Sequence, residues 1–274
     1  MEPGIFKESA RCLSLQQPAD KCAAVAELFA AVNADQFQWD HGAAIPSIHS
    51  VGRPDRPALI DPARVPRRRL GSSAGRVALI HAIAHIEFNA INLALDAVCR
   101  FRDMPLDYYS DWLSVAADEA RHFQLLQTRL QQLGADYGDH PAHDGLWEMA
   151  EKTTDSCLVR MALVPRVLEA RGLDVTPGMM QRLKSVGDTE TVAILQIILD
   201  EETGHVAVGS RWFAWCCGQH GKDPGLTFLE LLQSRYSGTV RGPFNMDARL
   251  LAGFSAEEMA ALVAGGESAD EIIE

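Results

Sequence analysis

The sequence predicts an all-α fold, a four-helix bundle that carries an N-terminal arm and C-terminal accessory helices. Three observations support this prediction. Hydrophobic residues make up 47% of the 274 residues and aromatic residues only 7%, with abundant Ala and Leu, a balance that suits helices. Apolar residues recur at helical spacing over four long segments. Each of these segments also carries a glutamate, and two add a histidine, on the apolar side.

Residues 1–71 are predicted to be an arm that packs on the bundle. The prediction places one short amphipathic helix in residues 1–35, starting after Pro18. Residues 36–71 hold five prolines and few periodic apolar positions, which indicates an extended segment. The Arg64 to Arg69 cluster in this segment could touch RNA or a phosphate, but a solvated arm is the favoured interpretation.

Residues 72–220 are predicted to form the bundle, and its first two helices make a hairpin. The first helix runs from Ser72 to about Arg102 and the second from about Asp107 to Leu133. Glu87 and Glu119 both lie roughly 22 Å from the turn, at 1.5 Å per residue. An antiparallel hairpin therefore places the two carboxylates at one level.

The third helix is predicted to follow a long crossover, residues 134–153, and to run from about Thr154 to Arg171. Pro165 should kink this helix, because proline removes one backbone hydrogen bond. Gly172 and Pro177 should then break it before a short helix resumes.

The fourth helix is predicted to begin near Asp188, and residues 221–274 are predicted to be accessory helices and a tail. Short helices are expected from Leu226 to Tyr236 and from Ser255 to Gly265.

One pattern of glutamates and histidines occurs twice along these helices. A single glutamate is followed about 32 residues later by Glu-x-x-His. Positions i and i+3 share a helix face, so each pair offers a carboxylate and an imidazole to one point. Buried carboxylates are costly unless they are protonated, paired or bound to metal. The set matches the ligands of ferritin-like di-iron and di-manganese carboxylate proteins, and its members are Glu87, Glu119, His122, Glu169, Glu202 and His205.

Four further histidines are predicted to lie outside this set. His81 and His85 are four residues apart but project about 120–160° away from Glu87. They are expected to form hydrogen bonds on the outer face, under the N-terminal arm. His140 and His143 fall in the crossover and are expected to be capping or surface groups.

Charge and cysteine usage exclude several classes of protein. A net charge of -12 disfavours a broad grip on nucleic acid or an anionic membrane. The six cysteines never form Cys-x-x-Cys, which argues against a rubredoxin-type iron or structural zinc site and favours reduced core thiols. No run of 18 apolar residues and no signal-peptide pattern occurs, so a cytoplasmic location is expected.

Five separated segments resemble the bacterial ferritin-like family known as domain of unknown function 455. They are His81-Ala-Ile-Ala-His-Ile-Glu87, Asp111-Trp-Leu-Ser-Val-Ala-Ala-Asp-Glu-Ala-Arg-His122, Tyr137-Gly-Asp-His-Pro-Ala-His-Asp144, Val164-Pro-Arg-Val-Leu-Glu-Ala-Arg-Gly-Leu-Asp174 and Glu202-Thr-Gly-His-Val-Ala-Val-Gly-Ser-Arg-Trp-Phe213. The resemblance implies a ferritin-like bundle with a dinuclear site, in which Glu119 and Glu202 bridge the metals and Glu201 lies nearby.

Three functions compete at this stage. The first is a di-iron oxidase or hydroxylase that uses O₂ or peroxide. Its substrate and its electron donor are not identified by the sequence. The second is a ferroxidase, iron-handling or peroxide-detoxifying protein with the same ligands. Manganese can replace the two iron ions in either, because the ligand types suit both metals. The third is a non-catalytic helical interaction protein. A homodimer is an open alternative in each case.

Overall fold

The computed structural model describes residues 4–44, 51–65 and 69–270 of the chain. Within these ranges every regular element is a helix and no strand occurs, so the all-α prediction is confirmed. The elements are α1 (Ile5–Ser14), α2 (Pro18–Asn33), a 3₁₀ turn (Pro62–Arg64), α3 (Ser73–Arg100), α4 (Leu106–Gln132), α5 (Gly145–Lys152), α6 (Cys157–Leu163), a π-helical segment (Val164–Glu169), α7 (Ala170–Ser185), α8 (Thr189–Gln219), α9 (Pro224–Arg235), α10 (Met246–Leu251) and α11 (Ala256–Asp270).

The chain divides after Glu148 into two compact units, an N-terminal unit of residues 1–148 and a C-terminal unit of residues 149–274. The hairpin of α3 and α4 forms the centre of the N-terminal unit, as predicted. The Ser72 hydroxyl accepts a hydrogen bond from the Gly75 backbone (3.1 Å) and caps the start of α3. Pro105 precedes α4, where its missing N–H costs nothing.

The N-terminal arm contains two helices where the sequence predicted one, so that prediction is wrong. The missed helix, α1, buries Ile5, Phe6, Cys12 and Leu13 completely or nearly so. The pair Ile5 and Phe6 lies two turns before the pair Cys12 and Leu13, so the four side chains form a narrow apolar stripe. The stripe packs against α3, which supplies the tertiary contacts that a helix this short needs.

The polar stripe of α3, which includes His81, His85, Asn89 and Asn92, is buried beneath these N-terminal elements. Buried Lys21 on α2 donates hydrogen bonds to the Leu13 carbonyl and to the Asn92 side chain on α3. Helix α3 is long and apolar enough to cross a membrane, yet 78% of its most apolar stretch of 18 residues is buried inside the fold. Together with its satisfied polar stripe, this burial is typical of the core helix of a globular protein.

The C-terminal unit packs α6, the π segment and α7 against α8, with α9 and α10 beside them. The predicted break at Gly172 and Pro177 is wrong, because α7 runs through both residues. Pro177 has no backbone N–H, so it cannot donate a hydrogen bond to the Leu173 carbonyl one turn earlier in α7. The Asn245 side chain donates to that carbonyl instead (3.2 Å), so the helix continues without a lost partner.

Candidate metal centre

The N-terminal half-site consists of Glu87 on α3 and Glu119 and His122 on α4. His122 Nδ1 lies 3.2 Å from Glu87 Oε2 and 3.5 Å from Glu119 Oε2. Each residue offers one ligand atom, and these atoms lie within 4.8 Å of one another. The three residues are at most 3% exposed. The predicted level match between the two helices is thus confirmed.

Electrostatics within this half-site fix the protonation of His122 when no metal is bound. Burial alone would lower the pKa of His122, but hydrogen bonds and charges from Glu119 and Glu87 outweigh burial and raise it to about 11. An imidazolium between two carboxylates compensates part of their buried charge. A metal ion would replace that proton, since ligating histidine must be neutral.

The donor set of the N-terminal half-site fits a divalent metal. Carboxylates and imidazole are ligands for many divalent metal ions, whereas soft metal ions prefer thiolates. No thiol is among the three donors, and five of the six cysteines are buried. The buried glutamates and histidine could therefore hold a metal ion.

Glu169, Glu202 and His205, the second predicted set, are called the C-terminal half-site below. Among the described residues, these three do not converge as a metal-ligand group of their own. Glu202 and His205 share one face of α8, and His205 Nδ1 lies 3.8 Å from Glu202 Oε2, beyond ordinary hydrogen-bond length. The Glu202 side chain is 13% exposed, whereas His205 is buried. Glu169 is half-buried at the end of the π segment, which packs against α8. The expected distortion at Pro165 thus takes the form of π-helical turns.

The sequence predicted hydrogen bonds on the opposite face of α3 but not the residues that form them. His85 Nδ1 lies 2.8 Å from the Tyr137 hydroxyl, and Arg53 donates to Asp144 (2.6 Å) and, weakly, to Asn89 (3.4 Å). The conspicuous signal was the dense run of polar and aromatic residues from Tyr137 to Asp144, whose partners lie far away in the chain.

His81, His85 and His143 form the kinds of contact that the sequence predicted. His81 Nε2 accepts a hydrogen bond from the Gly138 backbone (2.9 Å), and His85 contacts the crossover beneath the arm. His143 Nδ1 accepts from the Gly145 backbone at the start of α5 (3.3 Å), a capping contact. His140 lies beside the His81 ring. In the basic cluster Arg64 and Arg69 are exposed, and Arg67 and Arg68 lie outside the described residues.

The fold and the site together describe an all-α protein in which buried Glu and His side chains could hold a metal ion. A family model described as "Protein of unknown function (DUF455)" matches residues 14–260, and the chain belongs to that family. It is 42% identical over 258 residues to an "Uncharacterized protein" of Haemophilus influenzae (strain ATCC 51907 / DSM 11121 / KW20 / Rd), covering 90% of this chain and 89% of the relative. No solved structure matches the chain significantly.

Proposed function

We propose that the two half-sites join in a ferritin-like four-helix bundle and hold two iron ions. The observation that carries the proposal is the buried group of Glu87, Glu119 and His122, whose ligand atoms converge within 4.8 Å. The same residue types recur, with a spacing of 33 instead of 32 residues between the glutamates, as Glu169, Glu202 and His205. A dinuclear centre needs both sets, because one carboxylate pair and one imidazole leave a second metal without ligands of its own.

The activity best supported by such a centre is that of an oxidase or hydroxylase acting on O₂. Two iron ions held by oxygen ligands supply O₂ activation when bound. Glu87, Glu119 and His122 would hold the metals together with Glu169, Glu202 and His205. Burial of Glu119 and His122 at 0% exposure keeps bulk water from these donors, and carboxylate charge favours the oxidised metals.

Ferroxidase or peroxide-detoxifying chemistry would use the same residues. The arm and the long C-terminal region argue mildly against a ferritin-type cage, so iron storage is the weaker proposal. We further propose that the protein is cytoplasmic. Among the described helices only α3 is long and apolar enough to cross a membrane, and it is mostly buried in the fold.

Metal content tests the proposal. Wild-type protein is loaded anaerobically with ferrous iron, desalted and subjected to elemental analysis beside Glu119→Ala and Glu202→Ala. Asp118→Ala is the matched control, because Asp118 neighbours Glu119 but pairs with exposed Arg121 at the surface. About two metals per chain are expected in wild type and control, following the ligand count of this site type. Both glutamate variants should lose the two-metal stoichiometry.

Three results would contradict the proposal. No retained metal in wild type would favour the non-catalytic interaction protein. Full stoichiometry in Glu202→Ala would show that the C-terminal half-site does not contribute. Equal losses in Asp118→Ala and Glu119→Ala would indicate general damage to α4 instead of ligand removal.

A further inference from the structure

A cavity of about 320 Å³ lies between the N-terminal arm and the polar face of α3. The arm supplies an apolar wall that includes Pro57, Ala58 and Leu59, and His85 and Tyr137 also line the cavity. None of the lining residues is among the six proposed metal ligands. Its volume is at the lower end of the range for small-molecule sites, about 300–1,000 Å³, so the cavity could hold a small organic molecule.

A chain of hydrogen bonds leads to the Tyr137 hydroxyl, and Arg53 sets its direction. Arg53 only donates, so the Asn89 atom 3.4 Å from its Nη2 is the amide oxygen. The amide nitrogen of Asn89 therefore faces His85, where it lies 3.0 Å from the backbone carbonyl and 2.9 Å from Nε2. Because Nε2 accepts this bond, the ring proton of His85 is on Nδ1. The His143 carbonyl is a more distant neighbour of Nε2, at 3.2 Å.

This tautomer leaves the Tyr137 hydroxyl with a proton to donate. The Nδ1–H of His85 donates to the hydroxyl oxygen over 2.8 Å, so the hydroxyl proton points elsewhere. Burial raises the pKa of Tyr137, which keeps that proton in place. Within the described parts of the chain the hydroxyl has no second hydrogen-bond partner. A ligand in the cavity could therefore accept a hydrogen bond from it.

The charges around the cavity favour an uncharged ligand. Two nitrogens of the Arg53 guanidinium each lie 2.6 Å from an Asp144 oxygen, so the positive charge is already compensated. Asp55 also lines the cavity and is exposed, which adds a negative charge that repels anions. A cation without an acceptor atom would leave the Tyr137 proton unused. The best match is a neutral molecule with an acceptor oxygen.

The apolar wall is held in place by the crossover. The Ala142 backbone donates to the Ala58 carbonyl (3.0 Å), and the Ile60 backbone donates to the Ala142 carbonyl (2.8 Å). Arg56 Nε donates to the Gly138 carbonyl (3.2 Å). The wall is thus formed before a ligand arrives, which lowers the entropic cost of binding.

We propose that this cavity binds a small uncharged molecule with an apolar body and one carbonyl oxygen. The carbonyl oxygen accepts a hydrogen bond from the Tyr137 hydroxyl, and the apolar body packs against Pro57, Ala58 and Leu59. The direction of the hydrogen bonds from Arg53 to Tyr137 carries this inference. It does not depend on metal binding.

The test compares three probes on full-length, metal-depleted protein. Acetophenone has the carbonyl oxygen, ethylbenzene has a similar body without it, and benzoate carries a negative charge. Ligand-observed NMR titrations give each dissociation constant. Wild type should bind acetophenone more tightly than benzoate. Tyr137→Phe should weaken acetophenone about three- to tenfold, the worth of one neutral hydrogen bond, and leave ethylbenzene unchanged.

Two tryptophan variants locate the bound probe. Leu59 and Leu250 are both 43% exposed, but only Leu59 lines the cavity. Leu59→Trp should narrow the cavity and abolish binding of acetophenone and ethylbenzene, whereas Leu250→Trp should bind both as wild type does.

Four results would overturn the proposal. The first is no binding of acetophenone to wild type, and the second is tighter binding of benzoate than of acetophenone. The third is a Tyr137→Phe variant that changes the affinities for acetophenone and ethylbenzene equally or not at all. The fourth is undiminished binding in Leu59→Trp. These measurements read no metal, so they succeed or fail independently of the dinuclear centre.

Discussion

The two half-sites use the same residue types on different backbones. Glu119 and His122 lie on α4, a regular α-helix with a short turn to α3. Glu169 ends a π-helical segment, and its companions Glu202 and His205 lie on a helix that this segment packs against. In the N-terminal half-site the imidazole contacts both carboxylates, whereas the Glu202 and His205 atoms are 3.8 Å apart.

This difference suggests how the two halves divide their tasks. The N-terminal half-site is internally compensated, because a protonated His122 offsets its two carboxylates before any metal arrives. The C-terminal half-site has a partly exposed carboxylate and an irregular backbone, features that allow small adjustments. If the proposed metals bind, we expect the first half-site to be preformed and the second to adjust.

Removal of each histidine gives the largest expected contrast. In metal-free protein, His122→Ala leaves Glu87 and Glu119 buried together and should lower the free energy of unfolding by about 3–5 kcal/mol. His205→Ala breaks a longer contact with a partly exposed carboxylate and should cost about 1 kcal/mol. Urea denaturation followed by circular dichroism measures both. Equal losses would show that the half-sites do not differ in compensation.

Acid should destabilise the outer face of α3 while leaving the compensation of His122 intact. Burial, followed by nearby charge from His140 or Arg53, lowers the pKa of both His81 and His85 to about 4. The folded state resists protonation, so stability is full above the unfolded pKa of about 6.5 and falls between pH 6.5 and 4. The loss should reach about 3 kcal/mol per histidine at most.

The contribution of His122 to stability depends on pH in the opposite direction. Its raised pKa of about 11 means that its contribution is present below pH 6.5 and disappears as pH rises towards 11. Urea midpoints of metal-free protein at several pH values measure both trends. His81→Gln should flatten only the acid limb, because it removes one titrating group from the outer face. An unchanged acid limb in that variant would contradict a neutral, buried His81.

A methyl group at Gly209 should probe the contact between α8 and the π segment. A Cβ there would lie 2.3 Å from the Pro165 Cβ and Cγ, so the two elements must separate. We expect Gly209→Ala to cost about 1–3 kcal/mol. Gly218→Ala is the control on the same helix, where nothing lies within 4 Å. Thermal denaturation should show the first destabilised and the second unchanged or slightly stabilised.

The smallest effect is expected at Asp118. Its pair with Arg121 spans 3.2 Å, but both side chains are more than a third exposed. Solvent screens such pairs, so Asp118→Ala should change the free energy of unfolding by less than about 0.5 kcal/mol. Urea denaturation measures this change, and a larger loss would contradict the screening of this pair by solvent.

The N-terminal half-site could be predicted because it depends on regular geometry. Two helices joined by a short turn have fixed rise and phase, so counting residues from the turn places Glu87 beside Glu119. The course of the third helix could not be derived this way. Its continuity through Pro177 depends on a side-chain donor, Asn245, that is distant in sequence, and such compensation leaves no local signal.

The first helix of the N-terminal arm could not be predicted for a similar reason. Local propensity is weak for a helix as short as α1, whose stability comes from packing on α3. The network of Tyr137 and Arg53 likewise joins the crossover to the arm, and neither segment has the periodicity from which helices are predicted.

The burial of Lys21 against α3 has a consequence for synthesis of the protein. Chains emerge from the ribosome N-terminal end first, so α1 and α2 leave the exit tunnel before α3. The lysine that donates to Asn92 is therefore available when this long apolar helix appears. A segment that could pass for a membrane span emerges after the helices that cover it, which limits its opportunity for insertion or aggregation.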